Sequence, residues 1–278
     1  MDINRNGVDM LIDKKRLNIY FAFVIISVIA VDLFMFNREG IHGNGIDSCA
    51  YDGIFVWGVY KMLIIGFFPI IMISIWGAMH DEISRNICIV RMNSRFKLWL
   101  RQERLLLVLS IVTIIISMLI SFCMAYMLNG RLSWPEYIER DGQVIQCPYL
   151  YIAADVWNPS IADNFRFIPA VIAAIVINSL WVFIFVTFTN ILWWIFNKKY
   201  IGVLVTFCIC MPLAFIKKLG IAWVYKLCDF TGIKLFEHEY YRELIYPDRL
   251  VHVLTCQLVI IVVMFVISGI ITRKKNFI

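Results

Sequence analysis

Six long apolar runs, separated by polar residues, restrict the fold of this chain more than any other feature of its sequence. The runs cover residues 17–36, 54–79, 105–128, 168–196, 200–216 and 251–272. About 20 apolar residues in a helix cross the hydrocarbon core of a bilayer. The runs are continuous rather than alternating, which argues against a membrane β-barrel. With 61% hydrophobic and 17% charged residues, the sequence predicts an all-α, polytopic membrane protein with six transmembrane helices in one domain, 1–278.

The positions of Lys and Arg predict how the chain is oriented. Basic residues are enriched in cytoplasmic segments of membrane proteins. They are dense in the short segments that face inward if the amino terminus is inside, and sparser in the long outer loops 129–167 and 217–250. We therefore predict a multi-pass protein of the cell membrane with both termini in the cytoplasm. The net charge of +6 then reflects orientation, and no nucleic-acid partner is expected.

The longest polar interruption on the predicted cytoplasmic side covers residues 80–104. Its first part has apolar residues at i, i+4 and i+7, namely Ile83, Ile87 and Val90, so one face of a short helix is apolar. Asn93 suits the left-handed turn that ends a helix, and Ser94 suits the cap of the next one. The sequence predicts a helix, a tight corner and a second helix that continues into the membrane. Such a segment is suited to docking on a soluble partner, although a basic loop that only sets topology is the simpler alternative.

Signatures of an autonomous enzyme are missing from the sequence. There is no G-x-x-x-x-G-K-[ST] phosphate-binding loop, no H-E-x-x-H and no paired C-x-x-C. We therefore expect no ATPase site, no metal site, no bound cofactor and no enzymatic activity. One candidate for an acid–base or metal site is the polar segment 237–243, which contains Glu237, His238, Glu239 and Glu243. A solvated amphipathic segment is the alternative for it.

Two ionisable residues fall inside the apolar runs. Asp32 lies near the outer end of the first run, and Lys61 lies about two turns into the second. They form a candidate gate pair if the two helices are neighbours, and an interfacial ion pair is the alternative.

The outer loops leave two questions open. Residues 217–250 alternate apolar and charged side chains, which fits either short helices in the membrane interface or a polar cap over the helix ends. Cys49, Cys147 and Cys228 also lie in outer loops. A disulfide between the first two is one option, but three cysteines do not determine a pairing.

The corner after residue 90 resembles a known family. Arg91, Ser94, Arg95 and Trp99 match the basic R-x-G-S-R-x-x-x-W segment between the second and third spans of ABC-2 type permeases. These proteins are the membrane subunits of ATP-binding-cassette exporters. Asn93 stands where Gly is usual, and Asn is the next best residue for a left-handed turn.

The resemblance implies that transport and ATP hydrolysis are carried out by separate subunits. A separate cytoplasmic ATPase would bind ATP and Mg, and the segment 81–91 would be the coupling helix docked on it. The residues expected at this contact are Glu82, Ile83, Arg85, Ile87, Val90, Arg91, Ser94, Arg95 and Trp99. A second, smaller contact is expected at Lys198 and Lys199.

The resemblance also implies a dimer, formed by a second copy of the chain or by a related permease. Together with the nearly uncharged spans, it predicts export of an apolar or amphipathic substrate such as a peptide, an antibiotic or a lipid. Two alternatives are a non-catalytic immunity or sensor protein that binds a peptide through its outer loops, and a membrane enzyme that uses the cluster at 237–243.

Overall fold

Five helices, one β-hairpin and a few short helical pieces make up the part of the chain that the computed structural model describes. That part comprises residues 14–38, 50, 53–54, 94–129, 132, 137–140, 143–146, 167–196, 201–202, 204–206, 208–209, 222–231 and 247–274. In chain order the elements are α1 (Lys14–Arg38), α2 (Arg95–Asn129), β1 (Tyr137–Arg140), β2 (Gln143–Gln146), α3 (Phe167–Phe196), α4 (Ala222–Thr231) and α5 (Pro247–Lys274).

Within the described residues, three helices are long and apolar enough to cross a membrane. Their apolar stretches are Arg95–Leu128 in α2, Val171–Phe196 in α3 and Asp248–Thr272 in α5. Helix α1 contains a shorter apolar stretch, Leu17–Leu33. The helical state predicted for runs 1, 3, 4 and 6 is thus confirmed. The second run lies outside the described residues beyond its first residue, Ile54, and the fifth is described only as helical pieces between 201 and 209.

Helix α2 begins where the sequence predicts. The Ser94 side-chain oxygen accepts a long hydrogen bond of 3.4 Å from the Lys97 amide, and the Ser94 carbonyl accepts the first helical bond, 3.2 Å from the Leu98 nitrogen. Ser94 is therefore the cap of α2. The helix then continues for 35 residues, about 52 Å at 1.5 Å per residue. This exceeds the roughly 30 Å hydrocarbon core of a bilayer, so α2 is long enough to project beyond it.

Helix α2 is the centre of the bundle and packs against α1, α3 and α5. It runs in the same direction as α1, because Tyr20 bonds Thr113 at 2.6 Å and, farther along both helices, Asp32 bonds Ser121.

Helices α3 and α5 run the opposite way. Glu103 near the start of α2 meets Asn190 near the end of α3, and the Trp99 ring meets the Phe265 ring near the end of α5. Gln257 bonds the Ile177 carbonyl at 3.2 Å, which fixes α5 alongside α3.

These directions bring basic helix ends together. The starts of α1 and α2 and the end of α5 lie toward the same end of the bundle, which we call the basic end. Its residues are Lys14, Lys15, Arg16, Arg95, Lys97, Arg273 and Lys274.

A β-hairpin stands in a region for which the sequence predicts only a loop. β1 and β2 are antiparallel, with Tyr137 opposite Gln146 and Arg140 opposite Gln143. The two residues between the strands are Asp141 and Gly142, a pair typical of a tight hairpin turn. The hairpin follows α2 and precedes α3, so it belongs to the connection at the end of the bundle away from the basic end.

Candidate functional site

Only part of the predicted docking segment falls within the described residues. Ser94, Arg95 and Trp99 are described. The remaining predicted site residues lie outside the described part: Glu82, Ile83, Arg85, Ile87, Val90, Arg91, Lys198, Lys199, Lys61, the cluster at 237–243, Cys49 and Cys147. Their predicted roles therefore stay predictions.

The start of α2 is held tightly against the rest of the bundle. Ser94 and Arg95 are half-buried, whereas the Trp99 side chain is fully buried. The Trp99 ring stacks on Phe96 with centroids 5.7 Å apart and meets Phe265 of α5 edge-on at 4.9 Å. Trp99 therefore fixes the start of α2 to α5, and its ring is not on the surface.

One turn beyond Trp99, a buried polar cluster joins α2 to α3. Glu103 accepts hydrogen bonds from Thr187 Oγ1 at 2.5 Å and from Asn190 Nδ2 at 2.7 Å. Beside it, Gln102 Oε1 accepts a bond of 3.2 Å from Trp194 Nε1. All five side chains are buried, and Glu103 is 1% exposed. We call these residues (Gln102, Glu103, Thr187, Asn190 and Trp194) the polar cluster.

Reasoning from the sequence does not identify the polar cluster. It places Glu103 among the charges of the cytoplasmic segment, yet Glu103 lies four residues after Trp99 and three before Leu106, both buried. This spacing places all three on one helix face. A signal is present in the sequence, since Thr187 and Asn190 are two of the few polar residues in the apolar run 168–196; the others are Asn178, Ser179 and Thr189.

The chemistry of the cluster is that of a buried carboxyl group with neutral donors. Each Glu103 oxygen accepts one bond from a side chain of α3. Gln102 Nε2 and Asn190 Oδ1 are buried without a hydrogen-bond partner in the described part of the chain. An ionisable side chain inside a helical bundle is costly and marks a candidate functional position. In this geometry the cluster connects the start of α2 to the last turns of α3.

A second buried carboxyl group lies on α1, far from the basic end. Asp32 is fully buried, and its Oδ2 accepts a bond of 2.6 Å from Ser121 Oγ. Its Oδ1 has no hydrogen-bond partner within the described residues. Asp32 is thus enclosed between α1 and α2, and its predicted pairing with Lys61 remains a prediction.

The described residues contain no group of three or more His, Cys, Asp or Glu that could hold a metal ion. Cys123, Cys208 and Cys256 are free thiols, and Cys228 lies in α4. No protein-family model, no curated protein and no solved structure matches this chain.

Proposed function

We propose that the chain crosses the cell membrane six times, with both termini in the cytoplasm. The directions of the helices support this. If α1 and α2 both cross in the same direction, the chain must return across the bilayer between them, within 39–94. The same holds for α3 and α5, within 197–246. Helix α3 follows α2 in the opposite direction and needs no crossing between them, so six is the smallest number of spans that fits.

Contacts at both expected return points agree with this number. Gly53 lies against Ser121 near the end of α2 that is away from the basic end, where a second span would begin. The helical pieces after residue 200 pack back along α3, since Thr206 bonds Thr189 at 2.7 Å and Gly202 lies beside Thr189 and Trp193. A fifth span that starts at the basic end would have this course.

We further propose that the chain is the permease subunit of an ATP-binding-cassette exporter. A single observation supports this proposal: the capped start of α2, directly after the predicted docking segment, is fastened to two other helices. Trp99 connects it to α5, and Gln102 and Glu103 connect it to α3. A helix that only follows a topology-setting loop needs no such attachment. A force applied to the start of α2 by a soluble partner would move the ends of three helices together.

The partner in this proposal is a cytoplasmic ATPase that binds ATP and Mg. Arg91 and Arg95 would pair with acidic groups on the ATPase, and the apolar face of the segment 81–91 would pack into its groove. Closure of the ATPase dimer would tilt α2, α3 and α5 of each of two permease subunits and open a path outward. An apolar or amphipathic substrate fits the nearly uncharged surfaces of the helices.

A pull-down from the native host tests the proposal. Full-length tagged protein, solubilised in mild detergent, should recover a protein with a Walker A motif, identified by mass spectrometry. Arg91→Glu together with Arg95→Glu should reduce that recovery at least about tenfold, because charge reversal at a contact turns attraction into repulsion. The matched control is Lys226→Glu on α4, which reverses an exposed charge far from the basic end.

Two results would refute the proposal. One is a wild-type pull-down that contains no nucleotide-binding protein. The other is equal recovery by the Arg91/Arg95 variant and the Lys226 variant, provided both elute as monodisperse species. Biological function that persists without any such ATPase would favour the immunity or sensor alternative.

A further inference from the structure

One face of α2 carries three basic side chains in its first turns. Lys97, Arg101 and Arg104 follow one another at i, i+4 and i+7, so they share one face. Lys97 and Arg104 are exposed, and Arg101 is half-buried. The single acidic residue of α2, Glu103, is buried and bonded to α3. The exposed face at the start of α2 is therefore positively charged, and no acid of the same helix neutralises it.

The same helix face continues as an apolar stripe. Beyond Arg104 it holds four apolar side chains at steps of three and four residues: Val108, Ile111, Ile115 and Leu119. These four side chains are 37–58% exposed, and they lie in a helix long enough to span a membrane. Exposed apolar side chains on such a helix contact the acyl chains of lipids. We call this face, from residue 97 to residue 119, the α2 stripe.

The basic part of the α2 stripe lies at the depth of phospholipid headgroups. The apolar run begins at residue 105, so Arg104 is at the boundary of the hydrocarbon core. At 1.5 Å per residue, Arg101 lies about 4.5 Å and Lys97 about 10.5 Å before Arg104 along the helix. The headgroup layer of one leaflet is about 5–8 Å thick. Because helical side chains lean toward the amino terminus, the side chains of Arg101 and Arg104 extend from the core boundary into this layer.

We propose that the α2 stripe binds an anionic phospholipid. Arg101 and Arg104 hold the phosphate, and Lys97 adds charge at the outer edge of the headgroup layer. The acyl chains lie along Val108 and Ile111. A guanidinium can donate two parallel hydrogen bonds to a phosphate, and a headgroup with net negative charge is attracted by all three basic residues.

The proposed lipid site requires only that α2 crosses a membrane, and it does not depend on transport or on an ATPase. Its placement in the cytoplasmic leaflet follows from the orientation proposed above. Arg95, which we expect to contact the ATPase, precedes Lys97 by two residues, about 200° around the helix. The two contacts therefore use different faces of α2.

Lipid titration followed by native mass spectrometry tests the preference for an anionic headgroup. Full-length protein in a mild detergent is titrated with phosphatidylglycerol or with phosphatidylcholine of the same acyl chains. We expect the wild type to bind phosphatidylglycerol at least about tenfold more tightly, because three basic residues attract its net charge. Lys97→Gln with Arg101→Gln and Arg104→Gln should remove most of this preference. Lys97→Arg with Arg101→Lys and Arg104→Lys keeps the charge and should keep the preference.

A matched control removes the same charge from another helix. Arg273→Gln, Lys274→Gln and Lys275→Gln take three positive charges from the end of the chain after α5 begins to leave the bundle, and the preference for phosphatidylglycerol should survive. Equal losses in the two triple-glutamine variants overturn the proposal, since the attraction would then belong to the basic end as a whole. Equal affinity of the wild type for the two lipids also overturns it.

A photoreactive lipid locates the site. Phosphatidylglycerol or phosphatidylcholine with a diazirine in an acyl chain is irradiated with the protein in nanodiscs, where both leaflets have the same composition, and adducts are mapped. We expect more adducts with phosphatidylglycerol on the peptide that contains Val108, Ile111 and Ile115, and no excess in the triple-glutamine variant of α2. Equal adducts with both lipids overturn the proposal, since ordinary bilayer lipid would then occupy the stripe. The absence of adducts from both lipids also overturns it, since protein, such as a second copy of the chain, would then cover the stripe.

Discussion

Among single residues, Glu103 is important for the packing of α2 on α3 because its carboxyl group lies on a buried helix face. Its two oxygens are bonded to Thr187 and Asn190 of another helix, so its removal leaves two donors without partners. Buried polar groups that lose a partner destabilise a fold more than the bond itself stabilised it. This asymmetry makes Glu103 a sensitive test of the packing between α2 and α3.

We expect Glu103→Ala to lower the free energy of unfolding by about 1–3 kcal/mol, because Thr187 and Asn190 stay buried and lose their acceptor. Reversible denaturation in detergent micelles measures the change. The control is Arg104→Ala, one residue along α2 and exposed, which we expect to change stability by less than about 0.5 kcal/mol. Similar losses for both variants would show that the polar cluster does not hold α2 to α3.

Gly53 lies where a side chain has no room. A Cβ atom there would collide with the Ser121 carbonyl oxygen and come within 2.8 Å of Ala125 Cβ. The first of these is a backbone atom and cannot rotate away. We expect Gly53→Ala to destabilise the protein by about 1–3 kcal/mol through overpacking, measured as a lower thermal midpoint in micelles.

Gly269 is the matched control for that substitution. A Cβ atom at Gly269 would lie 3.6 Å from the Phe96 ring, which is an ordinary van der Waals distance. Gly269→Ala within a helix should therefore be neutral or slightly stabilising. If the two variants melt alike, Gly53 does not lie against α2.

Among the secondary-structure elements, hydropathy locates the four long described helices, but it does not give all of their ends or their buried faces. The predicted run 168–196 and the observed helix Phe167–Phe196 differ by one residue, because Arg166 and Asn197 lie just beyond the two ends of the helix. Helix α2 instead begins ten residues before its apolar run, because Ser94 caps it and amphipathic residues continue the helix outside the run. The burial of Glu103 depends on a neighbouring helix, and no pattern local to 80–104 contains that helix. The β-hairpin is a different case from Glu103, because its turn pair Asp141-Gly142 is a recognisable sequence signal. A search for apolar runs does not detect that signal.

The cap of α2 can be tested by substitution of Ser94. Ser94→Ala removes the acceptor of the Lys97 amide, and we expect a loss of about 0.5–1 kcal/mol, at the low end for caps because the bond is long. Ser94→Asp should keep the stability, since aspartate caps equally well and its charge favours a helix amino terminus. The control is Ser27→Ala, because Ser27 bonds the Phe23 carbonyl of its own helix. Equal stability of Ser94→Ala and wild type would mean that the start of α2 is held by its tertiary contacts alone.

For the whole molecule, the helix directions and the basic end lead to one prediction about sidedness. Both termini and the basic end should be cytoplasmic, and the hairpin, in the connection from α2 to α3, should be outside. We expect an epitope tag inserted between Asp141 and Gly142 to bind antibody on intact cells. Tags at either terminus should bind only after permeabilisation, because the six crossings that we propose return the chain to its starting side. The positive-inside preference gives the same orientation independently.

Termini on opposite sides would require an odd number of crossings, which is incompatible with the paired directions of α1 with α2 and of α3 with α5. A tag in the hairpin that binds antibody only after permeabilisation would instead show that the molecule has the opposite orientation. The start of α2 would then be out of reach of any cytoplasmic ATPase.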